Sequence, residues 1–349
     1  MKHVKLKRRG KEARILPLLL VGVLLFPSLV FGGWTATAAP EPDEGEVDYQ
    51  QVFVKNSPHE IEHYGKKEKV RIIIEMDKDA LLEQPQLRSY SSVQKYAISG
   101  RGQNKQRSMA RQQQKVQQAM EEEDITIKVR HEYTAVLNGI SAEARYGDIE
   151  KIQKIKGVKD VFVAQEYSLS EPKLEESSQT IGADIAQNTG YTGKGTATAV
   201  LDTGLDVNHE AFQQAVDNPR YSKDAIEEMI TKNHLSIGKL SSDVVYHNSK
   251  IPYGFDYADN DYGVAGGRAH GTHVAGIVGA NSGGVVKGVA PDTQLFIMKV
   301  FADKRAGAYD DDILAALDDS IKLGCENINM SLLIFADYIV YNILGDFTH

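Results

Sequence analysis

Two polar residues stand where the neighbouring sequence is small and apolar. Asp202 closes the run Thr196-Ala197-Thr198-Ala199-Val200-Leu201, and His270 opens the run Gly271-Thr272-His273-Val274-Ala275-Gly276-Ile277. In open α/β sheets ligands bind at the carboxyl ends of the strands, which is where a working carboxylate belongs. Other chemistry fits the same residues. An aspartate at a strand end also makes an Asx turn. His270 and His273 lie three apart on one helical face and have the spacing of a metal pair, although the run offers no third ligand. Ser331, in Ile328-Asn329-Met330-Ser331-Leu332, reads as a strand serine, and Cys325 just before that strand as a small core residue.

Strands and helices must alternate to bring these residues together. Residues 196–201 form a continuous small and β-branched run, the pattern of a strand buried on both faces. Residues 271–280 suit a helix packed closely on a sheet, 295–300 a buried strand, 310–323 a helix and 327–331 another strand. That order predicts a parallel sheet with right-handed crossovers. Residues 211–261, between the aspartate and the histidine, read as a surface elaboration with a helix over 222–232. A short helix is expected at 181–188.

A second pattern precedes this one. Residues 70–75 read as a strand and 103–123 as an amphipathic helix, with Met109, Val116 and Met120 at helical spacing. Strands follow at 125–130 and at 133–144 through the stretch 137–142, a helix at 146–154 with Ile149, Ile152 and Ile155 on one side, and a strand at 158–163. The order β-α-β-β-α-β is that of a ferredoxin-like sheet covered by two helices.

Composition sets the compartment. The 349 residues carry 42% hydrophobic and 25% charged side chains, with a net charge of -8. Such an acidic chain lacks the basic footprint of a nucleic-acid binder. One cysteine excludes an internal disulfide framework. The N-terminus is basic over residues 2–14, apolar over 15–31, and then offers Ala36-Thr37-Ala38, the order of a cleaved secretory signal peptide. An uncleaved membrane anchor is the alternative. Residues 40–48 are acidic with two prolines and read as a linker, and residues 172–178 as a processing region.

Asp202-Thr203-Gly204-Leu205-Asp206 and His270-Gly271-Thr272-His273-Val274-Ala275-Gly276 together resemble the aspartate and histidine segments of the subtilisin-like serine proteases. Leu137-Asn138-Gly139-Ile140-Ser141-Ala142 and Gly157-Val158-Lys159-Asp160-Val161 resemble the propeptides of that family. Residues 250–260 are similar to the matching segment of large cell-envelope proteases of the lactocepin and C5a-peptidase kind, which suggests a Gram-positive surface enzyme. The resemblance implies an α/β fold: an incomplete parallel-sheet subtilisin-like domain preceded by a ferredoxin-like α+β propeptide. It implies a serine endopeptidase with Asp202 as the orienting acid and His270 as the general base. Ser331 and Leu332 would offer backbone groups to an extended peptide substrate. The propeptide would dock on its own catalytic domain, its extended end at residues 164–170 lying in the cleft. The expected partners are therefore protein or peptide substrates, with cell-envelope association and no nucleic acid. No cofactor and no metal are expected.

The departures are equally informative. Leu333 stands where the family has glycine, Asn327 occupies a normally apolar position, and Glu210 and Ala211 replace a proline and a calcium-binding aspartate. No serine follows Ser331, so the nucleophile segment is absent, and residues 333–349 resemble nothing in the family. The expected organisation is a signal peptide at 1–38, linker and propeptide at 39–175, the first part of the catalytic domain at 176–332, and a divergent tail at 333–349. The chain as it stands is expected to be inactive. Two other readings remain at this point: a non-catalytic propeptide-type inhibitor or folding helper, and a metal-binding surface protein using His270 and His273.

Overall fold

Apolar residues at alternate positions lay down an antiparallel sheet in the first part of the computed structural model, which describes residues 64–169, 181–282 and 286–333. Strand β1 (Lys69–Met76) is followed by helices α1 (Val93–Ala97) and α2 (Gly100–Glu122) and strands β2 (Lys128–Tyr133) and β3 (Gly139–Arg145). Helix α3 (Ile149–Ile152) and strand β4 (Val158–Val163) complete the unit. The sheet order is β2-β3-β1-β4, with Ile72 opposite Ala142 on one side and Val163 on the other. This is the ferredoxin-like arrangement that the sequence predicts. Ile72, Ile74, Ile140 and Ile152 pack with Val116 and Met120 of α2 in one core. Helix α2 begins at Ser99, whose Oγ accepts the Gly102 N–H at 3.2 Å.

Strand β2 starts three residues later than the alternation at 125–130 suggests. Asp124 is left-handed (φ 58°) and the Ile125 N–H still bonds the Met120 carbonyl at 2.9 Å, so the chain is finishing its helix there. The helix expected over 146–154 is shorter too. It opens as a 3-10 turn (Tyr146–Asp148), tied back by the Tyr146 N–H to Glu68 and the Gly147 N–H to Lys66, and only four α-helical residues follow. The segments read as signal peptide, linker and processing region lie outside the described residues, as does the tail from residue 334.

The second sheet is parallel. After strand β5 (Glu166–Leu169) and helix α4 (Ala183–Asn188) come strand β6 (Ala197–Asp202), helices α5 (Lys223–Lys232) and α6 (Ser242–Val245), and strand β7 (Tyr253–Asp256). Helix α7 (His270–Gly279), strands β8 (Gln294–Lys299) and β9 (Ala308–Tyr309), helix α8 (Asp310–Leu323) and strands β10 (Asn327–Met330) and β11 (Leu332–Leu333) follow. The parallel order is β10-β6-β8-β7. All six residues of β6 are buried, which explains why its sequence is continuously apolar rather than alternating.

The reading of residues 211–261 as a surface elaboration needs correction. Strand β7 is an integral edge of the parallel sheet, and Phe212, Tyr221, Ile226, Ile251, Tyr253 and Tyr257 are all buried. Aromatic packing draws the segment inward, with the Tyr221 and Tyr253 rings 5.0 and 5.9 Å from Phe296. Cys325 is half-buried and burial pushes its thiol well up, in keeping with a structural role.

A third sheet joins the two halves. Strand β5, at the end of the ferredoxin-like segment, is its middle strand, antiparallel to β9 on one side and to β11 on the other. Helix α8 supports the junction. Its Asp310, Asp311, Asp312, Asp318 and Asp319 are all buried, so a helix that looks solvated in sequence is an internal column.

Candidate active site

The parallel sheet delivers Asp202 at the carboxyl end of β6, and α7 begins with His270. His270 Nδ1 and Asp202 Oδ1 are 2.6 Å apart, and the same oxygen accepts the Thr203 N–H at 2.6 Å. Asp202 is 1% exposed, while its Oδ2 is buried without a hydrogen-bond partner. A buried carboxylate bonded to Nδ1 fixes one imidazole tautomer and leaves Nε2 to exchange protons. We expect the His270 Nδ1–H resonance in ¹⁵N-edited NMR to be protected from exchange. In Asp202→Asn it should shift upfield and broaden, and an unchanged signal would refute the contact.

The motif residues around the pair hold the two segments together. The Gly271 N–H donates to Thr203 Oγ1 at 2.9 Å and the Asp206 N–H to Thr272 Oγ1 at 2.9 Å. A methyl group on Gly271 would fall 2.1 Å from the Gly204 carbonyl oxygen, so helix and strand end could not approach this closely with any other residue. Beside Asp202 in the sheet, Lys299 is ion-paired with Asp256 and, at 3.0 Å, with Asp303. Burial, opposed by the Lys299 contact, pushes Asp256 up to about 6. Lys299 fills the space among Asp256, Asp259 and Asp303, where acidic groups alone would suit a cation.

The metal reading of His270 and His273 gains no third ligand. His273 is exposed, and neither histidine belongs to the metal-capable groups found among the described residues. Ser331 follows β10, its Oγ donating to Asn329 Oδ1 at 3.2 Å. Leu332 and Leu333 pair with Leu169 and Ser168, so the stretch that the resemblance assigns to substrate binding is engaged by β5.

Sequence reasoning missed the opposite wall. Strand β9 sets Ala308 opposite Tyr167 and Tyr309 opposite Glu166, and two residues are too few to show periodicity. It also missed α8. Arg71 Nη1 reaches Asp311 at 2.9 Å and Asp312 at 2.8 Å, Arg130 Nη2 reaches Asp312 at 3.0 Å, and His131 Nε2 lies 2.8 Å from the same Asp312 oxygen. Burial works to raise Asp312, but the His131 bond and the two arginines outweigh it and hold this carboxyl below its usual range. Burial and the charge of Asp312 raise Asp311.

Asp310 behaves oppositely to Asp312. Burial pushes it up to about 8, with the Asp311 and Asp312 charges adding to the rise against two backbone bonds. A raised folded-state value favours the protonated form, so its stabilising contribution is complete below pH ~4 and is lost as pH climbs to about 8. Asp310→Asn should therefore gain stability relative to the unsubstituted chain between pH 5 and 8.5, read as the difference in urea midpoints. A constant difference across that range would contradict the assignment.

An α/β domain with a parallel sheet, carrying a ferredoxin-like unit whose terminal strand lies between two of its own, is the architecture of a subtilisin-like domain with its propeptide. Residues 193–333 match the Subtilase family, and residues 72–170 match Peptidase inhibitor I9. The chain is thus similar to the subtilase family over residues 193–333 and to the inhibitor family over residues 72–170. It is 37% identical over 212 residues to a PI-type proteinase of Lactococcus lactis subsp. cremoris, covering 57% of this chain and 11% of that protein. It is 28% identical over 341 residues to the minor extracellular protease Vpr of Bacillus subtilis (strain 168), covering 91% and 36%. A C5a peptidase of Streptococcus pyogenes serotype M6 is 34% identical over 147 residues, covering 40% and 12%. The chain thus spans about a tenth of the lactococcal proteinase and about a third of Vpr.

Proposed function

We propose that this chain is the leading part of an exported subtilisin-like serine endopeptidase precursor, in which Asp202 orients His270 and His270 acts as general base. The observation that carries the reading is the 2.6 Å contact between His270 Nδ1 and Asp202 Oδ1. Strand β5 acts as a substrate mimic, lying between β9 and β11 as a peptide would in strand addition. Ser331 and Leu332 supply one wall of that slot, and His273 is a structural neighbour of the base. The basic, apolar and small-residue order at the N-terminus directs export, a reading supported by relatives from Lactococcus, Bacillus and Streptococcus, one of them named extracellular.

These 349 residues place no serine after Ser331, so the acid and base have no hydroxyl in the family's order to activate. Loss of the nucleophile removes most of the catalytic rate. The chain is expected to hydrolyse casein or a chromogenic peptide no faster than buffer, and Ser331→Ala to leave that background unchanged. Hydrolysis above background that Ser331→Ala abolishes would overturn this assignment.

A second reading, an inhibitor or folding helper that acts without catalysis, is favoured by the complete core of the ferredoxin-like unit and its placement of β5. Titration of the chain against an active subtilisin-like protease decides it, since absence of inhibition removes this reading.

A further inference from the structure

Helix α2 is basic in an acidic protein. Between Gly100 and Met120 it carries five cations and no acid, while the whole chain has a net charge of -8. It borders a groove of about 460 Å³, lined by Arg107, Arg111, Gln114 and Gln117 of α2 together with Glu132 of β2 and His234 after α5. Arg107 and Arg111 are exposed, and among the described residues neither is paired with a carboxylate. The far wall is fixed. His234 Nε2 lies 2.7 Å from Glu132 Oε2, the His234 N–H donates to Gln106 Oε1 at 2.8 Å, and the Glu132 N–H donates to the Ser236 carbonyl at 3.0 Å. That wall is set before any ligand arrives.

The spacing and chemistry of the lining select among anions. Residues 107 and 111 are about one helical turn apart, ~6 Å along the axis, and residues 107 and 117 span ~15 Å. An extended polypeptide rises ~3.3 Å per residue, so about four or five residues cover that length. Acids at alternate positions then lie ~6.6 Å apart on one face and meet both guanidiniums. Each guanidinium can hold a carboxylate through two parallel N–H bonds. Gln114 and Gln117 each offer donors and an acceptor, which matches the N–H and C=O of a peptide backbone, whereas a phosphodiester polymer offers only acceptors. The Glu132 carboxylate would repel such a polymer but can accept a peptide N–H.

We propose that this groove docks an acidic segment of a polypeptide in extended form, its carboxylates on Arg107 and Arg111 and its backbone on Gln114 and Gln117. The α2 residues and Glu132 lie in the part that matches the inhibitor family, residues 72–170, and His234 lies in the subtilase part, residues 193–333. The ligand touches both parts, so its binding favours the state in which the inhibitor-type segment stays on its domain. This site depends neither on the roles assigned to Asp202 and His270 nor on β5 as a substrate mimic.

Fluorescence anisotropy of a labelled Glu-Gly-Glu-Gly-Glu peptide, titrated with the full chain at low salt, tests it. Saturable binding is expected. Arg107→Ala combined with Arg111→Ala should weaken it about tenfold or more, and Gln114→Ala combined with Gln117→Ala about threefold. Inorganic tripolyphosphate should bind more weakly than the peptide and be indifferent to the glutamine substitutions. His234→Ala should weaken the peptide as well, because the ligand contacts both parts. Arg107→Glu combined with Arg111→Glu should reject the acidic peptide and accept Lys-Gly-Lys-Gly-Lys, a gain that misfolding cannot mimic. Absence of saturable binding, or an affinity unchanged in the double arginine variants, would overturn the site. Tripolyphosphate binding as tightly as the peptide would overturn the polypeptide as its occupant, and binding insensitive to His234→Ala would overturn the bridging of the two parts.

Discussion

Asp318→Ala is expected to cost about 3–5 kcal/mol, the usual result of breaking a fully buried ion pair by removing one partner. The Asp318 carboxylate accepts the Ala135 N–H at 2.6 Å, the Val136 N–H at 2.8 Å and, less closely, the Thr134 N–H at 3.2 Å. Lys322 Nζ lies 2.5 Å from its other oxygen, and both side chains are 0% exposed. Alanine would strand three backbone donors and an ammonium group, with only Asp319 at 3.7 Å and the His234 carbonyl left to face the charge. The loss falls on the contact between residues 134–136 of the inhibitor-type segment and α8 of the subtilase segment. Lys322→Met alone should also be severe, whereas adding it to Asp318→Ala should cost much less than the sum, because the ammonium group that Asp318→Ala strands is then gone. Urea unfolding of the four chains gives the cycle, and a single-variant loss below about 1 kcal/mol would show that α8 is not the anchor described here.

Gly307→Ala should release β5 from its slot. A methyl group there would lie 2.4 Å from Glu166 Cγ, 2.5 Å from Glu166 Oε1 and 2.7 Å from the Tyr167 carbonyl oxygen. The glutamate can rotate away, although it would forfeit the 3.1 Å bond it accepts from the Gly307 N–H. The carbonyl belongs to the backbone of β5 and can move only with the strand. Overpacking of this kind commonly costs about 1–3 kcal/mol. Here the pairing of β5 with β9 covers only Glu166 and Tyr167, so the local cost is large relative to what holds it. Brief treatment with thermolysin should cleave Gly307→Ala within residues 164–170 at least tenfold faster than the unsubstituted chain. Equal cleavage rates would mean that the strand passes Gly307 without touching it.

The sequence was most legible where one period governed a whole element. Helix α8 matches its expected span, and strands β4, β6 and β8 fall within a residue of theirs, because buried runs and helical spacing leave few alternatives. Asp202 and His270 were visible because glycines and small residues surround them, a consequence of the close approach at Gly271. Strand β9 was invisible, since a two-residue strand takes its shape from the neighbour it pairs with. The burial of the aspartates of α8 was not legible for another reason. Three acids at a helix start ordinarily face water and the helix dipole, and only the tertiary placement of Arg71, Arg130 and His131 makes them internal. Residues 211–261 misled because their length suggested an insertion, while Tyr221, Tyr253 and Tyr257 were already marking a core.

The tether of β5 has a consequence for any competing peptide. Ala164 donates its N–H to the Arg71 carbonyl at 2.9 Å, so the strand leaves the ferredoxin-like sheet only two residues before entering the slot. Ligand and receptor are then one molecule, and the ligand's effective concentration is set by a very short linker, on the order of millimolar or more. A free peptide of identical sequence must reach that concentration to occupy half the slots. Cutting the chain both before residue 166 and after residue 169 would change no contact within the slot, yet dilution alone would then begin to empty it.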